Sequence, residues 1–226
     1  MNLLRGENLS KRFPERAVEA VRGVSLELAS GQTMGILGES GSGKSTLARI
    51  ILGLLKPDAG EVYFQDKSFS SFRKADWKYF RKNVQAVFQH PAQSLNPRMN
   101  VRQILEEPYQ IHGLAGERIS KKIENLLESV ELSARFLERR PAQLSGGECQ
   151  RVAIARALAP EPRLIVCDEA VSSLDLLVQA GILNLLLKLQ TEKHVSYLFI
   201  SHDAGVVRHM SDRILFMKNG SSHLLS

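Results

Sequence analysis

Long apolar runs and cysteines are scarce in this sequence of 226 residues. No stretch approaches the roughly 18 consecutive apolar residues that a membrane-spanning helix needs. The first seven residues do not lead from a basic segment into an apolar one, as a secretory signal peptide would. These absences predict a protein that is neither secreted nor integral to a membrane, although they leave open docking on a membrane protein.

The chain has two cysteines, Cys149 and Cys167, and neither stands in a metal-ligand spacing. We interpret them as small buried thiols in a reducing compartment. Aromatic residues make up only 6%, but 43% hydrophobic and 24% charged residues are typical of a globular protein. The net charge of +6 is dispersed, apart from a basic cluster over residues 73–82. We interpret this cluster as a solvated helix face, so no nucleic acid partner is expected.

Short apolar runs alternate with helical patterns, which predicts an α/β fold with a mostly parallel core sheet. Strands are predicted at residues 33–37, 83–88, 163–167 and 197–200. The alternation of apolar and polar residues over 3–28 indicates an antiparallel edge sheet. Helical spacing over about 91–159 predicts a helical subdomain, within a single domain of residues 1–226 whose core comprises 1–90 and 160–226.

Residues 38–45, Gly-Glu-Ser-Gly-Ser-Gly-Lys-Ser, match the phosphate-loop pattern G-x-x-x-x-G-K-[ST]. A predicted strand precedes the loop and a helix follows it, so a Gly/Ser-rich linker is the weaker interpretation. The helix is expected to place Leu47, Ile50, Ile51, Leu54 and Leu55 on one face. The expected nucleotide contacts are Gly38, Glu39, Ser40, Gly41, Ser42, Gly43, Lys44, Ser45 and Thr46.

Chemistry explains these residue types. Glycines let backbone N–H groups surround phosphate oxygens, and the helix N-terminus adds partial positive charge. Lys44 supplies a full charge to the β- and γ-phosphates, and the Ser45 hydroxyl can bind Mg²⁺.

Two adjacent acids, Asp168 and Glu169, end the apolar strand predicted at 163–167. Buried acids are costly unless they meet a cation or exchange protons. Asp168 therefore suits a place beside Mg²⁺ and Glu169 suits a base that acts on water, with two solvated loop acids as the alternative. His202 follows another apolar strand, at the edge where open α/β sheets bind ligands. Taken alone, His202 is explained equally well as a capping or core residue.

Ser145 and Glu148 form the S-x-x-E pattern that starts a helix. The two residues between them, Gly146 and Gly147, weaken a helix relative to alanine. Their presence indicates a second surface that an anion can approach closely.

In order along the chain, these motifs resemble the ATP-binding cassette (ABC) family over essentially all of the sequence. Its Q-loop corresponds to Gln89, its signature to residues 144–148 and its D-loop to 172–175. The family's phosphate loop corresponds to residues 38–45, its pair of acids to Asp168 and Glu169, and its switch histidine to His202. Phe13 stands in the place of the aromatic residue that stacks on adenine, although an aromatic there is more often a packing residue.

The resemblance implies ATP and Mg²⁺ as ligands and two cassettes paired head to tail. ATP would lie between the phosphate loop of one copy and residues Ser145, Gly146, Gly147 and Glu148 of the other, with Asp175 crossing the interface. Lys44, Gln89, Glu169 and His202 are the expected catalytic residues; Ser45, Gln89 and Asp168 are the expected metal contacts. Expected partners are a second ATPase subunit, two membrane permease subunits and an extracytoplasmic solute-binding protein. The expected location is peripheral, at the cytoplasmic face of the inner membrane.

Residues 88–91 and 94–99 look like the peptide and nickel importer branch of this family. Ala170 and Val171, where Pro-Thr is usual, resemble the nickel-importing members. We therefore expect an importer ATPase for nickel, another transition metal or its chelate. The alternatives are a dipeptide or oligopeptide importer and a soluble ABC ATPase without a transport role. Glu148 and Cys149 depart from the family pattern, and no regulatory C-terminal segment is expected after the Asn219-Gly220 turn.

Overall fold

The computed structural model describes residues 2–13, 18–114, 116 and 119–225. The strands are β1 (Asn2–Phe13), β2 (Val18–Ala29), β3 (Thr33–Leu37), β4 (Ala59–Phe64), β5 (Lys67–Ser68), β6 (Val84–Phe88), β7 (Leu164–Asp168), β8 (Ser196–Ser201), β9 (Arg213–Lys218) and β10 (Ser221–Leu225). The helices are α1 (Lys44–Ile51), α2 (Lys74–Asn83), α3 (Pro91–Ser94), α4 (Val101–Ile111), α5 (Ile119–Ser129), α6 (Gly146–Leu158), α7 (Leu176–Lys193) and α8 (Ala204–Met210).

The larger sheet has six strands in the order β10-β9-β3-β8-β7-β6. All neighbouring pairs are parallel except β10 with β9. Strands β3 and β8 are buried along their whole length, which explains the apolar runs in their interiors. The predicted mostly parallel core sheet is confirmed. Each predicted strand begins and ends within one residue of the observed strand.

The smaller sheet is antiparallel, in the order β2-β1-β4-β5. Strand β1 pairs with both β2 and β4. This confirms the antiparallel sheet predicted from residues 3–28. Apolar side chains of β1 and β2, such as Leu4 and Val24, form one buried cluster with Ile50 and Ile51 of α1 and with Val166 of β7. The two sheets therefore enclose α1, the helix that follows the phosphate loop.

Helices α3 to α6 occupy the predicted helical region. Helix α5 buries Ile123 and Leu127, as its apolar spacing predicts. These side chains belong to the same buried cluster as Ile165 and Tyr197 of the large sheet. The helical region therefore shares a buried core with the sheet. The single domain of residues 1–226 and its division at about 91–159 stay predictions.

The predicted C-terminal end of α1 was wrong. The helix stops at Ile51, and the backbone turns at Gly53, whose φ is +67°. Leu54 is 68% exposed, so it does not lie on the buried face with Leu47 and Ile50. In the sequence, the spacing of Leu54 and Leu55 continues the helical pattern. The left-handed backbone at Gly53 nevertheless ends the helix.

Among the described residues, none of the helices combines the length and the apolar character required to cross a bilayer.

Candidate active site

A cleft of about 970 Å³ lies at the carboxyl ends of β3, β6, β7 and β8. In an open α/β sheet, this is the edge at which ligands bind. The side chains and backbone around it come from the phosphate loop, α1 and the segments after β6, β7 and β8. The lining residues are Ala20, Glu39, Ser40, Gly41, Gly43, Lys44, Ser45, Thr46, Arg49, Phe88, Gln89, His90, Gln93, Ser94, Asp168, Glu169 and His202.

The phosphate loop turns tightly between β3 and α1. Gly43 has a φ of +106°, and a Cβ there would lie 2.0 Å from the carbonyl oxygen of Ala20. At Gly38 a Cβ would lie 2.3 Å from the carbonyl oxygen of Met217. Both positions therefore require glycine for close backbone packing. Behind the loop, the Ser42 hydroxyl is buried and has no hydrogen-bond partner among the described residues.

Lys44 begins α1, and its side chain is only 4% exposed. Its Nζ donates hydrogen bonds to the carbonyl oxygens of Gly38, at 2.7 Å, and Glu39, at 2.8 Å. Burial lowers the pKa of this ammonium, and the nearby carboxylates of Glu169 and Asp168 oppose that shift. Lys44 is thus a desolvated cation beside the cleft, which suits the binding of phosphate oxygens.

Asp168 ends β7 and accepts a hydrogen bond from the Ser45 hydroxyl at 3.1 Å. Burial raises the pKa of the Asp168 carboxyl, and the Ser45 hydrogen bond partly offsets the increase. A hydroxyl and a carboxylate held together beside a phosphate loop are the oxygen donors that Mg²⁺ prefers. The two residues therefore fit the predicted metal contacts.

Glu169 connects the cation of the loop with the predicted switch histidine. Its Oε1 lies 3.9 Å from Lys44 Nζ, and its Oε2 lies 3.1 Å from His202 Nδ1. The backbone of Glu169 has a φ of +53°, a left-handed conformation that is costly for a residue with a Cβ. Its N–H donates to the carbonyl oxygen of Ile200 at 3.0 Å, which ties this conformation to β8. Strained backbone of this kind is frequent at functional sites.

Gln89 lines the same cleft, just after β6. Its carbonyl oxygen accepts a hydrogen bond from the Ser173 hydroxyl at 2.9 Å. The neighbouring Ser172 hydroxyl donates to the carbonyl oxygen of Glu169 at 3.0 Å. The predicted D-loop is therefore connected directly to two residues of the cleft.

The predicted signature residues do not line the cleft of their own chain. Ser145 Oγ accepts from the Glu148 N–H at 3.3 Å, and Glu148 Oε2 accepts from the Ser145 N–H at 2.7 Å. This is the predicted capping box, and α6 begins at Gly146. A Cβ on Gly147 would lie 2.6 Å from Val178 Cγ1, so packing within the chain also requires this glycine.

Asp175 caps α7, since its carboxylate accepts from the Val178 N–H at 3.0 Å. Phe13 ends β1 opposite Val18 and is not among the described residues that line the cleft. Adenine stacking on Phe13 therefore stays a prediction. The same is true of the interface role of Asp175.

Sequence reasoning did not identify Arg49, His90 and Gln93, which also line the cleft. Burial raises the pKa of Asp168, and the positive charge of Arg49 is one of the smaller effects that oppose this rise. Its position four residues after Ser45, on the same face of α1, was a usable signal. His90 and Gln93 had none, because their placement depends on how α3 packs after β6.

Comparison with known proteins identifies the family of the chain. The family model described as "ABC transporter" matches residues 21–172. The solved ABC cassette MJ0796, in a dimeric post-hydrolysis state bound to ADP and Pi, superposes with a TM-score of 0.85 at 34% identity, covering 99% of both chains. The cbiO1 subunit of the cbiONQ transporter from Clostridium perfringens superposes with a TM-score of 0.88 at 28% identity, covering 99% of this chain and 87% of that one.

The chain therefore belongs to the ABC transporter family. It is similar to the oligopeptide transport ATP-binding protein OppF of Haemophilus influenzae, with 45% identity over 92% of this chain and 63% of that protein. It is similar, too, to the nickel import ATP-binding protein NikE of Shigella boydii, with 46% identity over 87% of this chain and 74% of that protein. The chain spans 63% of the length of the OppF relatives that it matches. These similarities agree with the predicted peptide and nickel importer branch.

Proposed function

We propose that the chain is the ATP-hydrolysing subunit of an ABC importer. The observation that carries the proposal is the convergence of Lys44, Glu169 and His202 in one cleft, with Glu169 3.9 Å from the lysine and 3.1 Å from the histidine. A phosphate-binding cation, a carboxylate base and a second polar group are the elements that phosphoryl transfer to water requires.

Each residue has a distinct task in this proposal. Lys44 and the loop N–H groups hold the triphosphate, and Glu169 orients the attacking water and accepts its proton. The water oxygen bonds to the γ-phosphorus as the bond to the bridging oxygen breaks, which yields ADP and phosphate. His202 holds the γ-phosphate and the water. Mg²⁺, held by Ser45, Asp168 and Gln89, would neutralise charge on the phosphates when bound.

The functional unit in this proposal is a pair of cassettes. Residues 145–148 lie outside the cleft of their own chain, so they are available to a facing subunit. The dimeric state of the solved MJ0796 cassette supports this arrangement. Whether the second cassette is identical or different is left to experiment.

The partners proposed for this pair are two membrane permease subunits and, through them, an extracytoplasmic solute-binding protein. The pair would sit peripherally at the cytoplasmic face of the inner membrane. The resemblance to cbiO1, part of the cbiONQ complex, supports a place in a transporter assembly.

Two cargo classes are compatible with the relatives. The sequence prediction of nickel, another transition metal or its chelate is supported by 46% identity to NikE. An oligopeptide cargo is supported to the same degree, by 45% identity to OppF and 44% to AppF of Bacillus subtilis. Because cargo contacts belong to other subunits, the cleft itself does not distinguish them.

The variant Glu169→Gln tests the hydrolytic role. The amide keeps the shape of the side chain but cannot accept the proton of water, so turnover should fall by about 10²- to 10⁴-fold. ATP binding should remain, and ATP-bound pairs should accumulate in size-exclusion chromatography. Glu161→Gln is the matched control, because Glu161 also has a positive φ, +57°, but lies outside the cleft. If Glu169→Gln turns over ATP at the parental rate, Glu169 is not the catalytic carboxylate.

Uptake assays test the cargo. A strain that lacks the gene should lose transport of either labelled nickel or labelled peptide. The parental chain should restore it and Glu169→Gln should not. Restoration of peptide uptake alone would reject nickel, and restoration of neither would reject a role in importing these cargoes.

A further inference from the structure

A second cavity, of about 440 Å³, is separate from the nucleotide cleft. It is bounded by α4 and α5 of the helical region, the end of α6 and the last turn of α7. None of its lining residues belongs to the nucleotide cleft. The lining residues are Tyr109, Lys122, Asn125, Leu126, Leu158, Ala159, Glu161, Pro162, Glu192 and Lys193.

The floor of this cavity is apolar. Leu126, Leu158, Ala159 and Pro162 are all buried and all line it. A buried apolar floor in a cavity of this size suits a small ligand with an apolar side chain.

The rim carries charges of both signs. Lys122 and Lys193 contribute ammonium groups, and Glu161 and Glu192 contribute carboxylates. In the part of the chain that the structure describes, no ion pair within 4.0 Å includes any of these four. Their charges are therefore available to a ligand that itself has an anionic and a cationic end.

Tyr109 joins the floor to the rim. The residue is 5% exposed, but its hydroxyl is accessible to solvent and forms no hydrogen bond with the described residues. Lys122 Nζ lies 5.8 Å from the centre of the Tyr109 ring. The pKa of the Tyr109 hydroxyl is raised mainly by burial and secondarily by the negative charge of Glu161. Tyr109 thus shares the cavity with a cation and an anion, and its hydroxyl is free to bond with a ligand.

We propose that this cavity binds a small zwitterion with an apolar side chain, namely a free amino acid or a short peptide. The ligand carboxylate would face Lys122, its ammonium group would face Glu161, and its side chain would lie on the apolar floor. The Tyr109 hydroxyl would hydrogen-bond with the ligand between its two charged ends. Because α4 and α5 bind one side of the ligand and residues 161–162 and 192–193 the other, the bound ligand would hold the helical region against the core.

Isothermal titration of the full chain with leucine and with the dipeptide Leu-Leu tests the proposal and separates the two sources. At least one should bind saturably at concentrations up to about 10 mM. 4-Methylpentanoate, which is leucine without the ammonium group, and isoamylamine, which is leucine without the carboxylate, should bind at least about tenfold more weakly. No saturable binding of either probe, or equal binding of 4-methylpentanoate, would overturn the proposal.

Adjacent lysines on α5 provide a matched pair of variants. Lys122→Met should weaken binding about tenfold, whereas Lys121→Met, which is exposed and outside the cavity, should leave it unchanged. Tyr109→Phe, which keeps the buried ring, should weaken binding about fivefold. Saturating ATP should not displace the probe. Equal affinities of the two lysine variants, or displacement by ATP, would reject this cavity as the site.

Discussion

The two glycines that open α6 should respond differently to the same small change. A Cβ on Gly147 would lie 2.6 Å from Val178 Cγ1, which is closer than side-chain atoms can pack. A Cβ on Gly146 would lie 3.5 Å from Leu174 Cδ2, an ordinary contact. Gly146→Ala is therefore a control for Gly147→Ala that differs by one position in the same helix turn.

The magnitude follows from two opposing effects. Alanine is preferred to glycine in a helix by up to about 1 kcal/mol. Overpacking of a filled site costs about 1 to 3 kcal/mol. Gly146→Ala should thus be neutral or slightly stabilising, and Gly147→Ala should be less stable than it by about 1 to 3 kcal/mol. At roughly 2 to 4 °C per kcal/mol for a chain of this size, the two melting temperatures should differ by several degrees.

Thermal melts and ATPase rates, measured where cassettes pair, separate packing from phosphate binding. Adding Val178→Ala removes the clashing methyl, so the double variant should recover stability beyond the additive expectation. Hydrolysis should fall in both single variants, because each methyl obstructs the surface proposed to face a phosphate. If Gly147→Ala has the same melting temperature as Gly146→Ala, the steric reasoning is wrong. If a stable Gly146→Ala hydrolyses ATP at the parental rate, the glycines do not approach a triphosphate.

Two further variants test the charges of the cleft. Lys44→Ala should weaken ATP binding about 10- to 100-fold in a fluorescent-nucleotide titration, because a buried charged donor is lost. The control Lys188→Ala changes an exposed lysine and should leave the affinity unchanged. Equal affinities of the two variants would reject the phosphate-loop assignment. Asp168→Asn should raise the melting temperature at neutral pH by about 2 °C while abolishing turnover. The pKa of Asp168 is higher in the folded chain than in the unfolded chain, so the protonated carboxyl stabilises the fold at low pH. This stability is lost as the pH rises through the folded pKa and the carboxyl ionises. Asparagine cannot ionise, so the variant should not lose stability in this way. A lower melting temperature across the whole pH range would contradict that sign.

The parts of the fold that sequence predicts best are those where one force dominates. The interiors of buried parallel strands such as β3 and β8 are largely apolar, so the strands can be located closely. The two ends of β8 were each missed by one residue because they are the buried serines Ser196 and Ser201. The end of α1 was missed because Leu54 and Leu55 continue the helical spacing after Gly53. Local backbone preference overrode hydrophobic periodicity there, and nothing in the spacing reveals it.

In the candidate site, too, local sequence patterns predicted some features, and others depend on the tertiary fold. Linear motifs identified Lys44, Asp168, Glu169 and His202, and the fold brings all four to one cleft. The positive φ of Glu169 and the hydrogen bond from Ser173 to Gln89 could not be predicted. The second of these joins residues that are 84 positions apart, so it depends on the register of β6 beside β7 rather than on any local pattern.

The start of α6 explains why one chain holds only part of the proposed site. The capping box satisfies the N–H groups of Ser145 and Glu148, whereas the first N–H groups of a helix, here those of Gly146 and Gly147, have no partner within the helix. Gly146 is exposed, and neither residue lines the cleft of its own chain. Unpaired N–H groups at a helix N-terminus favour an anion, and the absence of side chains lets that anion come close. A triphosphate held by the cleft of a facing subunit satisfies both conditions, which is why variants of these glycines should affect hydrolysis in the pair more than ATP binding by the single chain.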